Sequence, residues 1–331
     1  MDKRKQIIRN WIESLYPAEE FSLEPASSDA SFRRYFRLKK QQDSLIIMDA
    51  PPENEEITTF CRLARRFYTL GINVPEILHT ENELGFVLMS DLGSDHYLDS
   101  LNDSTVERLY GDALTSLVIL QSGTFDEPDF LPAYSAELLR GEMDLFRQWY
   151  LATHLGLVIS DEEHKIMDDA WQLLINSALE QPQLWVHRDY HSRNLMVTDV
   201  NNPGIIDFQD AVTGPITYDL VSLLKDCYIE WPEQRVEDWV IRYHDLALQS
   251  GLLKNENEQQ FLRWFHRMGI QRHLKVAGIF ARLSHRDGKS RYLDDIPLTL
   301  KYLISALKND AELADLYNMI LSKVFGSKVS N

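Results

Sequence analysis

The chain has 331 residues, 44% of them hydrophobic, and its 34 Lys and Arg against 51 Asp and Glu give a formal net charge of -17. This acidic balance argues against a general nucleic-acid binder or a binder of anionic membranes. The length predicts two lobes or domains, because a single hydrophobic core rarely grows this large. No apolar run approaches a membrane span, and the N-terminus is predicted to be an amphipathic helix rather than a signal peptide. The two cysteines, Cys61 and Cys227, favour a reduced, cytoplasmic setting.

The hydrophobic pattern of the first 92 residues predicts a small sheet with few helices. Helices are expected at residues 2–15 and at about 55–70. The predicted strands are 31–38, 44–49, 76–79 and 85–89. We expect residues 1–92 to form an N-terminal, nucleotide-binding lobe, and the short loop 90–94 to be the hinge that ends it.

The pattern after residue 92 is mostly helical and predicts a C-terminal lobe, residues 93–331, that contains the catalytic loop. The predicted helices are 105–121, 136–155, 161–179, 236–250, 256–283 and 298–324. A short hairpin interrupts them, with strands 195–197 and 204–206 joined by a segment rich in turn formers. The fold class is therefore α+β, with a small antiparallel sheet and a mostly helical lobe.

Four polar residues between Trp185 and Phe208 are spaced as in a phosphoryl-transfer site. His187, Asp189 and Asn194 follow the order His-Arg-Asp-x-x-x-x-Asn, in which the Asp accepts the proton of an attacking hydroxyl and the Asn holds a metal ion. Asp207 follows the second strand of the hairpin. Because the residue entering a hairpin and the residue leaving it share its open end, Asn194 and Asp207 are predicted to bind one magnesium ion.

The same residue types are also common as caps and turn residues, so the spacing alone is weakly specific. Specificity comes from the combination with the apolar strand, Asp207-Phe208 and the segment 214–220 that follows. Residues 187–220 resemble the family of aminoglycoside phosphotransferases and choline kinases. Further blocks, which span most of the chain, resemble the amino-sugar kinases of this family in bacterial peptidoglycan recycling. These blocks are 28–37, 48–53, 271–275 and 278–283.

The resemblance implies a two-lobed, protein-kinase-like fold with ATP and Mg²⁺ as cofactors. It also implies phosphorylation of the anomeric hydroxyl of N-acetylmuramate or N-acetylglucosamine, with the sugar-binding site in the C-terminal lobe. A kinase of another small hydroxylated molecule, such as an aminoglycoside, choline or another sugar, is the alternative. We expect a monomer with a small-molecule amino sugar as its partner.

The nucleotide is expected beneath the small sheet and against the hinge. Ser28 and Ser31 belong to the turn where a phosphate-covering loop is expected, although this turn has no glycine. Met89 ends the strand that runs into the hinge, where backbone groups usually hold adenine. Asp207 is the further nucleotide-binding residue, through its metal ion.

The clearest departure from the family pattern is Met48. Related enzymes carry at about this position a lysine that neutralises nucleotide phosphates, and a thioether cannot replace it. Arg33 and Arg34 on the preceding strand are the nearest candidates. Strand alternation sends them to opposite faces, so at most one of them points to the nucleotide, and the sequence leaves open which. The missing lysine also raises the alternative of a catalytically silent nucleotide-binding module.

Asp189 is the predicted base, or the group that orients the attacking hydroxyl. Arg193 is predicted to neutralise charge on the transferred group, with a structural ion pair as the alternative. Asp219 is expected to hold the catalytic loop by accepting hydrogen bonds. Because His187, Asp189 and His191 alternate, they would share one face of a strand, so a metal hydrolase is a third hypothesis.

The acceptor site is predicted from a local reversal of charge. The segment 261–291 contains eight Lys or Arg and one acid, although the whole chain is acidic. An anionic substrate, such as a sugar with a lactyl carboxylate, would explain this reversal, and a basic helix packed on acidic segments would also explain it. The candidate substrate residues are His191, Arg267, Gln271 and Lys275.

Overall fold

A computed structural model of the chain describes residues 3–17, 19–27, 33–40, 43–53 and 57–326. The chain divides into two compact units. The small unit comprises Met1–Ser100 with Asn194–Gln209, and the large unit comprises Leu101–Arg193 with Asp210–Asn331. The division into lobes at residue 92 stays a prediction.

The helices and strands of both units are numbered along the chain. They are α1 (Lys3–Leu15), β1 (Phe21–Ser27), β2 (Arg34–Lys40), β3 (Asp43–Asp49), α2 (Ile57–Thr69), β4 (Ile77–Glu81), β5 (Phe86–Ser90), α3 (Tyr97–Ser100), α4 (Val106–Asp126), α5 (Ala136–Leu145), α6 (Asp161–Leu179), β6 (Gln183–Val186), β7 (Leu195–Met196), β8 (Gly204–Ile205), β9 (Val212–Pro215), α7 (Tyr218–Leu224), α8 (Glu233–Gln249), α9 (Glu258–Asp287), α10 (Ile296–Lys308) and α11 (Ala314–Ile320). Phe146–His154 continues α5 as a π-helix.

The small unit is built on a five-stranded antiparallel sheet of order β1-β2-β3-β5-β4. Helix α1 packs on one face of this sheet, where Ile8 and Ile12 join a buried cluster with Phe36, Ile47 and Leu88. The helices and strands predicted for this part of the chain are confirmed, except that residues 2, 31–32 and 55–56 of the predicted elements lie outside the described residues. The sequence did not predict β1, whose pairing with β2 shifts register after Pro25, because proline weakens the strand pattern.

The hairpin predicted between the catalytic motif and Asp207 is confirmed within the small unit. Strands β7 and β8 pair antiparallel, with Leu195 opposite Ile205. The backbone N–H of Ile205 also donates to the carbonyl of Asn73 at 2.7 Å. A two-residue strand pair is too short to be stable by itself, so the rest of the small unit must hold it in place.

The large unit is mostly helical, and the 30-residue helix α9 packs against α5, α6, α7, α8 and α10. Asn257 caps its first turn by accepting the N–H of Gln260, and Gly288, with φ of 68°, ends it. Gly278 lets α9 approach its neighbour closely, because a Cβ at this position would lie 2.3 Å from the backbone carbon of Leu145. The long helix predicted here is therefore confirmed.

The large unit differs from the sequence-based expectation in one predicted helix and in one strand pair that was not predicted. The single helix predicted over 298–324 is wrong, because α10 ends at Lys308 and a new start follows. Asp310 accepts the N–H of Glu312 and begins the next short helix. The strand pair β6 and β9 was not predicted, since strands of four residues, three of them buried, show too little alternation to be identified. No helix in the described part of the chain has the length and apolarity needed to cross a membrane.

A buried carboxylate links the sheet of the small unit to α1. Asp49 is fully buried and accepts hydrogen bonds from Arg4 Nε at 2.8 Å and from Arg34 Nη2 at 2.5 Å. Arg4 also donates to the carbonyl of Leu84 at 2.6 Å. A buried carboxylate is stable only when charge and hydrogen bonds compensate its lost hydration, so both arginines are needed.

We predict that Arg34→Met lowers the free energy of unfolding by about 2 kcal/mol, because hydrogen bonds to a buried charged group are lost. Denaturant unfolding measures this loss. The matched control is Lys39→Met on the same strand, since Lys39 pairs with Glu24 and both side chains are 53% exposed. Its effect should stay below about 0.5 kcal/mol. Equal effects of the two substitutions would contradict the role given to Asp49.

Candidate active site

The loop between β6 and the hairpin is held by Asp219 in the first turn of α7. Its carboxylate oxygens accept the backbone N–H of His187 at 2.6 Å and of Arg188 at 3.0 Å. Arg188 has φ of 75°, a left-handed conformation that residues other than glycine rarely adopt. The paired hydrogen bonds compensate this strain, and the loop-holding role predicted for Asp219 is confirmed.

Burial has a large effect on Asp219 itself. The loss of hydration raises the pKa of its carboxyl to about 7, although the N–H groups of His187 and Arg188 favour the charged form. The charge of Arg272 also favours the charged form, so the carboxyl that positions the loop is one whose pKa is raised mainly by burial. Asp219 is fully buried, so this shift is a property of the folded protein.

Three helices hold Arg188, the residue before Asp189. Asp219 of α7 binds its N–H, and Arg272 of α9 donates from Nη1 to its carbonyl at 2.9 Å. Its guanidinium lies 2.5 Å from a carboxylate oxygen of Glu142 on α5. Backbone and side chain are thus both fixed, which leaves the neighbouring Asp189 little freedom.

A second carboxylate holds the other end of the loop. Asp226, which follows α7, accepts the N–H of Ser192 at 2.9 Å and its hydroxyl at 2.5 Å. Asp219 and Asp226 therefore flank α7 and anchor both ends of the loop. Asp226 and Glu142 were not predicted from the sequence, because each acquires its role only through contacts with residues distant in the chain.

Asp189 lies in a positive environment. Burial alone would raise the pKa of its carboxyl, but the charges of Lys275, His191 and Arg272 outweigh this effect and the pKa is lowered. Asp189 is therefore ionised at neutral pH. An ionised carboxylate can accept a hydrogen bond from a hydroxyl and then its proton.

The predicted substrate residues Gln271 and Lys275 come together at Glu142. Lys275 Nζ lies 3.0 Å from Glu142 and 2.8 Å from the hydroxyl of Tyr218, and Gln271 donates to Glu142 at 3.2 Å. Tyr134 also donates to this carboxylate. Burial alone would raise the pKa of Glu142, but Lys275 and Arg188 lower it, so the carboxylate stays charged.

The structure does not bring Arg267 into this group. Its guanidinium lies 2.7 Å from Asp310 and 2.8 Å from Glu312. It borders a cavity of about 470 Å³ that Gln172 and Asn176 also line. The role of Arg267 in substrate binding stays a prediction, and its contacts are those of a structural ion pair.

His191 and Arg193 both pack on Tyr228. The imidazole of His191 meets the ring edge-on with centroids 5.4 Å apart, and burial lowers its pKa. The guanidinium of Arg193 lies 3.5 Å from the centre of the same ring and 3.9 Å from Asp295. Residues 187–193 form a loop rather than a strand, so the premise of the metal-hydrolase hypothesis is not met.

In the small unit, the hairpin brings the two predicted metal ligands together. Asn194 Nδ2 lies 3.3 Å from Asp207 Oδ2, and Gln209 donates to Asp207 Oδ1 at 2.8 Å. Asp207 has φ of 66°, a second left-handed residue. Amide and carboxylate oxygens fit a hard divalent cation such as Mg²⁺. Among the described residues, this site included, no three His, Cys, Asp or Glu side chains are grouped to hold a metal ion.

Only some of the other residues predicted to bind the nucleotide lie in the described part of the chain. Ser28 and Ser31 lie outside the described residues. Met89 is buried in β5 opposite Ile46, and Met48 is fully buried in β3. The part that each plays in nucleotide binding stays a prediction.

Comparison with known proteins identifies the class. The sequence pattern of the Phosphotransferase enzyme family matches residues 22–254, well over half of the chain. The chain belongs to this family. The predicted resemblance and the predicted enzyme class, a phosphotransferase, are confirmed.

Curated relatives are similar over nearly their whole length. An N-acetylmuramate/N-acetylglucosamine kinase of Pseudomonas aeruginosa is 44% identical and covers 99% of this chain and 99% of its own length. A kinase of the same name from Neisseria meningitidis is 41% identical and covers 97% of this chain and 96% of its own length. The predicted similarity to amino-sugar kinases is confirmed.

Solved structures show the same fold at low sequence identity. Choline kinase LicA from Streptococcus pneumoniae aligns with a TM-score of 0.63 and 13% identity, over 91% of this chain and 99% of its own. The ADP-bound aminoglycoside phosphotransferase APH(2'')-Ib aligns with a TM-score of 0.58 and 13% identity, over 91% and 98%. The predicted fold class is confirmed.

We predict that Asp219→Asn lowers kcat about 10- to 100-fold. The amide oxygen can accept only one of the two backbone N–H groups in this geometry, and the amide NH₂ would face the second N–H group, donor against donor. The measurement is steady-state kinetics of phosphoryl transfer. The control is Asp238→Asn, an exposed residue of α8 that bonds Gln234, and it should leave kcat unchanged. A fully active Asp219→Asn would show that the paired hydrogen bonds do not set the loop.

The same variant has a predicted pH signature. The pKa of Asp219 rises from its ordinary value near 4 to about 7 on folding, so its contribution to stability is complete below about pH 4 and is lost as the pH rises to about 7. Asn has no such loss. The unfolding temperature of Asp219→Asn relative to that of the wild type should therefore rise between about pH 4 and 7. A constant difference would refute the raised pKa.

Proposed function

We propose that the protein is an ATP- and Mg²⁺-dependent kinase that phosphorylates the anomeric hydroxyl of N-acetylmuramate or N-acetylglucosamine. The observation that carries the chemistry is an ionised Asp189 on a loop anchored at both ends by Asp219 and Asp226. The choice of sugar is supported by near-full-length similarity to kinases of these two sugars.

In the proposed reaction, Asp189 accepts a hydrogen bond from the anomeric hydroxyl and takes its proton as the sugar oxygen bonds to the γ-phosphorus. The bond between that phosphorus and the bridging oxygen of ADP breaks, and ADP leaves. Phosphoryl transfer is catalysed mainly by positioning and charge stabilisation, so a fixed carboxylate is a sufficient base. Mg²⁺ at Asn194 and Asp207 would supply positive charge to the phosphates.

The cations beside the loop support an acidic acceptor. Arg188, Arg272 and Lys275 lie close to the carboxylates Glu142 and Asp189, so three cations are concentrated beside the loop. An anionic group on the acceptor or product would interact favourably with these cations. We propose that His191, Arg193, Gln271 and Lys275 surround the acceptor, and that the enzyme acts as a monomer in the cytoplasm during peptidoglycan recycling.

A coupled assay for ADP tests the proposal, with N-acetylmuramate, N-acetylglucosamine, choline and an aminoglycoside as acceptors. We expect turnover with one or both amino sugars and an acid-labile product, because an anomeric phosphate hydrolyses readily in acid. Turnover with choline or the aminoglycoside alone would replace the proposed substrate. Binding of ATP without turnover on any acceptor would favour the catalytically silent module.

Two substitutions separate catalysis from nucleotide binding. Asp189→Asn should lower kcat about 10²- to 10⁴-fold, the usual contribution of a general base, and leave ATP affinity unchanged. Asp207→Ala should instead weaken binding of Mg²⁺ with ATP. Calorimetric titration and steady-state kinetics distinguish the two effects. Normal turnover by Asp189→Asn would remove the base from the proposed mechanism.

A further inference from the structure

Two adjacent arginines differ in their surroundings: Arg33 immediately precedes β2, and Arg34 is its first residue. Arg34 lies directly opposite Asp49 in the pairing of β2 with β3, and its guanidinium bonds that carboxylate. Arg34 also lies 5.5 Å from the ring of Phe36, which belongs to the buried cluster beneath α1. The side chain of Arg34 is therefore on the α1 face of the sheet and neutralises a structural carboxylate.

Arg33 belongs to the other face. Tyr35 lies directly opposite Met48, and residues opposite each other in an antiparallel pair point to the same side. Since Arg33 precedes Tyr35 by two residues, alternation places it with Tyr35 and Met48. Its guanidinium lies 5.6 Å from the ring of Phe60 on α2, and its side chain is buried, with 6% exposed.

The ring of Phe60 connects Arg33 to the predicted metal ligands. Phe60 stacks on Phe208 with centroids 5.0 Å apart and ring planes 18° apart. Phe208 follows Asp207 directly in the chain and is fully buried, and Phe67 of α2 packs against its edge at 5.7 Å. One aromatic group therefore contacts the guanidinium of Arg33 and fixes the residue next to Asp207.

We propose that Arg33 binds a phosphate of the nucleotide and so replaces the lysine that is missing at Met48. This inference rests on the proposed ATP-dependent function. The guanidinium is charged at every physiological pH and its planar donors match phosphate oxygens in pairs. Cation–π contact with Phe60 orients the guanidinium.

The two arginines within β2, Arg34 and Arg37, both bond carboxylates. Arg34 is bonded to Asp49, as described above. Arg37 donates to Asp91 at 2.6 Å and to the carbonyl of Gly93 at 2.8 Å. Arg33 is therefore the arginine of this strand region that combines the face of Met48 with a link to Asp207.

The test compares ATP with adenosine, in the absence of sugar, because only ATP carries phosphates. Arg33→Met should weaken ATP binding about 10- to 100-fold, the loss expected for hydrogen bonds to a charged group. Adenosine affinity should change less than twofold. The matched control is Arg9→Met on α1, because Arg9 also lies over a ring, 5.1 Å from that of Phe21, and it should alter neither affinity.

Equal losses for ATP and adenosine, or no loss for either, would overturn the inference. Should Arg33→Met fail to fold, Arg33→Lys is the second test. This variant keeps the positive charge and should retain ATP affinity to within about threefold. The double variant Arg33→Met/Met48→Lys restores a lysine on β3. It should bind ATP at least tenfold more tightly than Arg33→Met does. A folded double variant without any recovery would show that Arg33 does not replace the lysine.

The result also separates this inference from the proposed function. A wild-type protein that binds ATP no better than adenosine would contradict ATP-dependent kinase activity as a whole. Wild-type preference for ATP that persists unchanged in Arg33→Met would contradict the role of Arg33 alone. Sugar turnover is measured independently and decides the acceptor.

Discussion

The two hydrogen bonds from consecutive N–H groups to Asp219 determine the geometry of the loop that carries Asp189. They hold Arg188 in a left-handed conformation that the chain would otherwise avoid, and they do so with a carboxylate whose pKa is raised by burial to about 7. Folding stability is thus reduced at this point to position the loop. The hydrophobic packing of the large unit must supply the free energy for burying this carboxyl.

Charges in a low-dielectric interior act strongly on their neighbours, and the large unit uses this in two ways. Glu142 and Asp189 remain ionised because Lys275 compensates both, whereas burial dominates at Asp219. The carboxyl proposed for catalysis is therefore ionised near neutral pH, whereas the carboxyl that holds the loop, with a pKa of about 7, is partly protonated there. Their different neighbours on α9 explain this difference, since both groups are carboxyls whose pKa burial alone would raise.

In the small unit, the need of a buried charge for compensation explains why the neighbouring Arg33 and Arg34 have different contacts. A buried carboxylate, Asp49, needs cations, and Arg34 and Arg4 provide them on the α1 face. The period of two along a strand then leaves Arg33 on the other face, with Phe60 and the Phe208 that follows Asp207. This placement of Arg33 is the basis of its proposed role in binding a phosphate of the nucleotide.

The sequence by itself determined the local features: the hairpin, the long helix α9, the spacing of Asp189, Asn194 and Asp207, and the family, because periodicity and short-range spacing encode them. The tertiary structure alone decided which distant groups complete the site. Glu142 and Asp226 contact the catalytic loop from 46 and 34 residues away, and the face of Arg33 was fixed by its neighbours across the sheet. Contacts between distant residues depend on how whole elements pack, and no local pattern in one sequence records that packing.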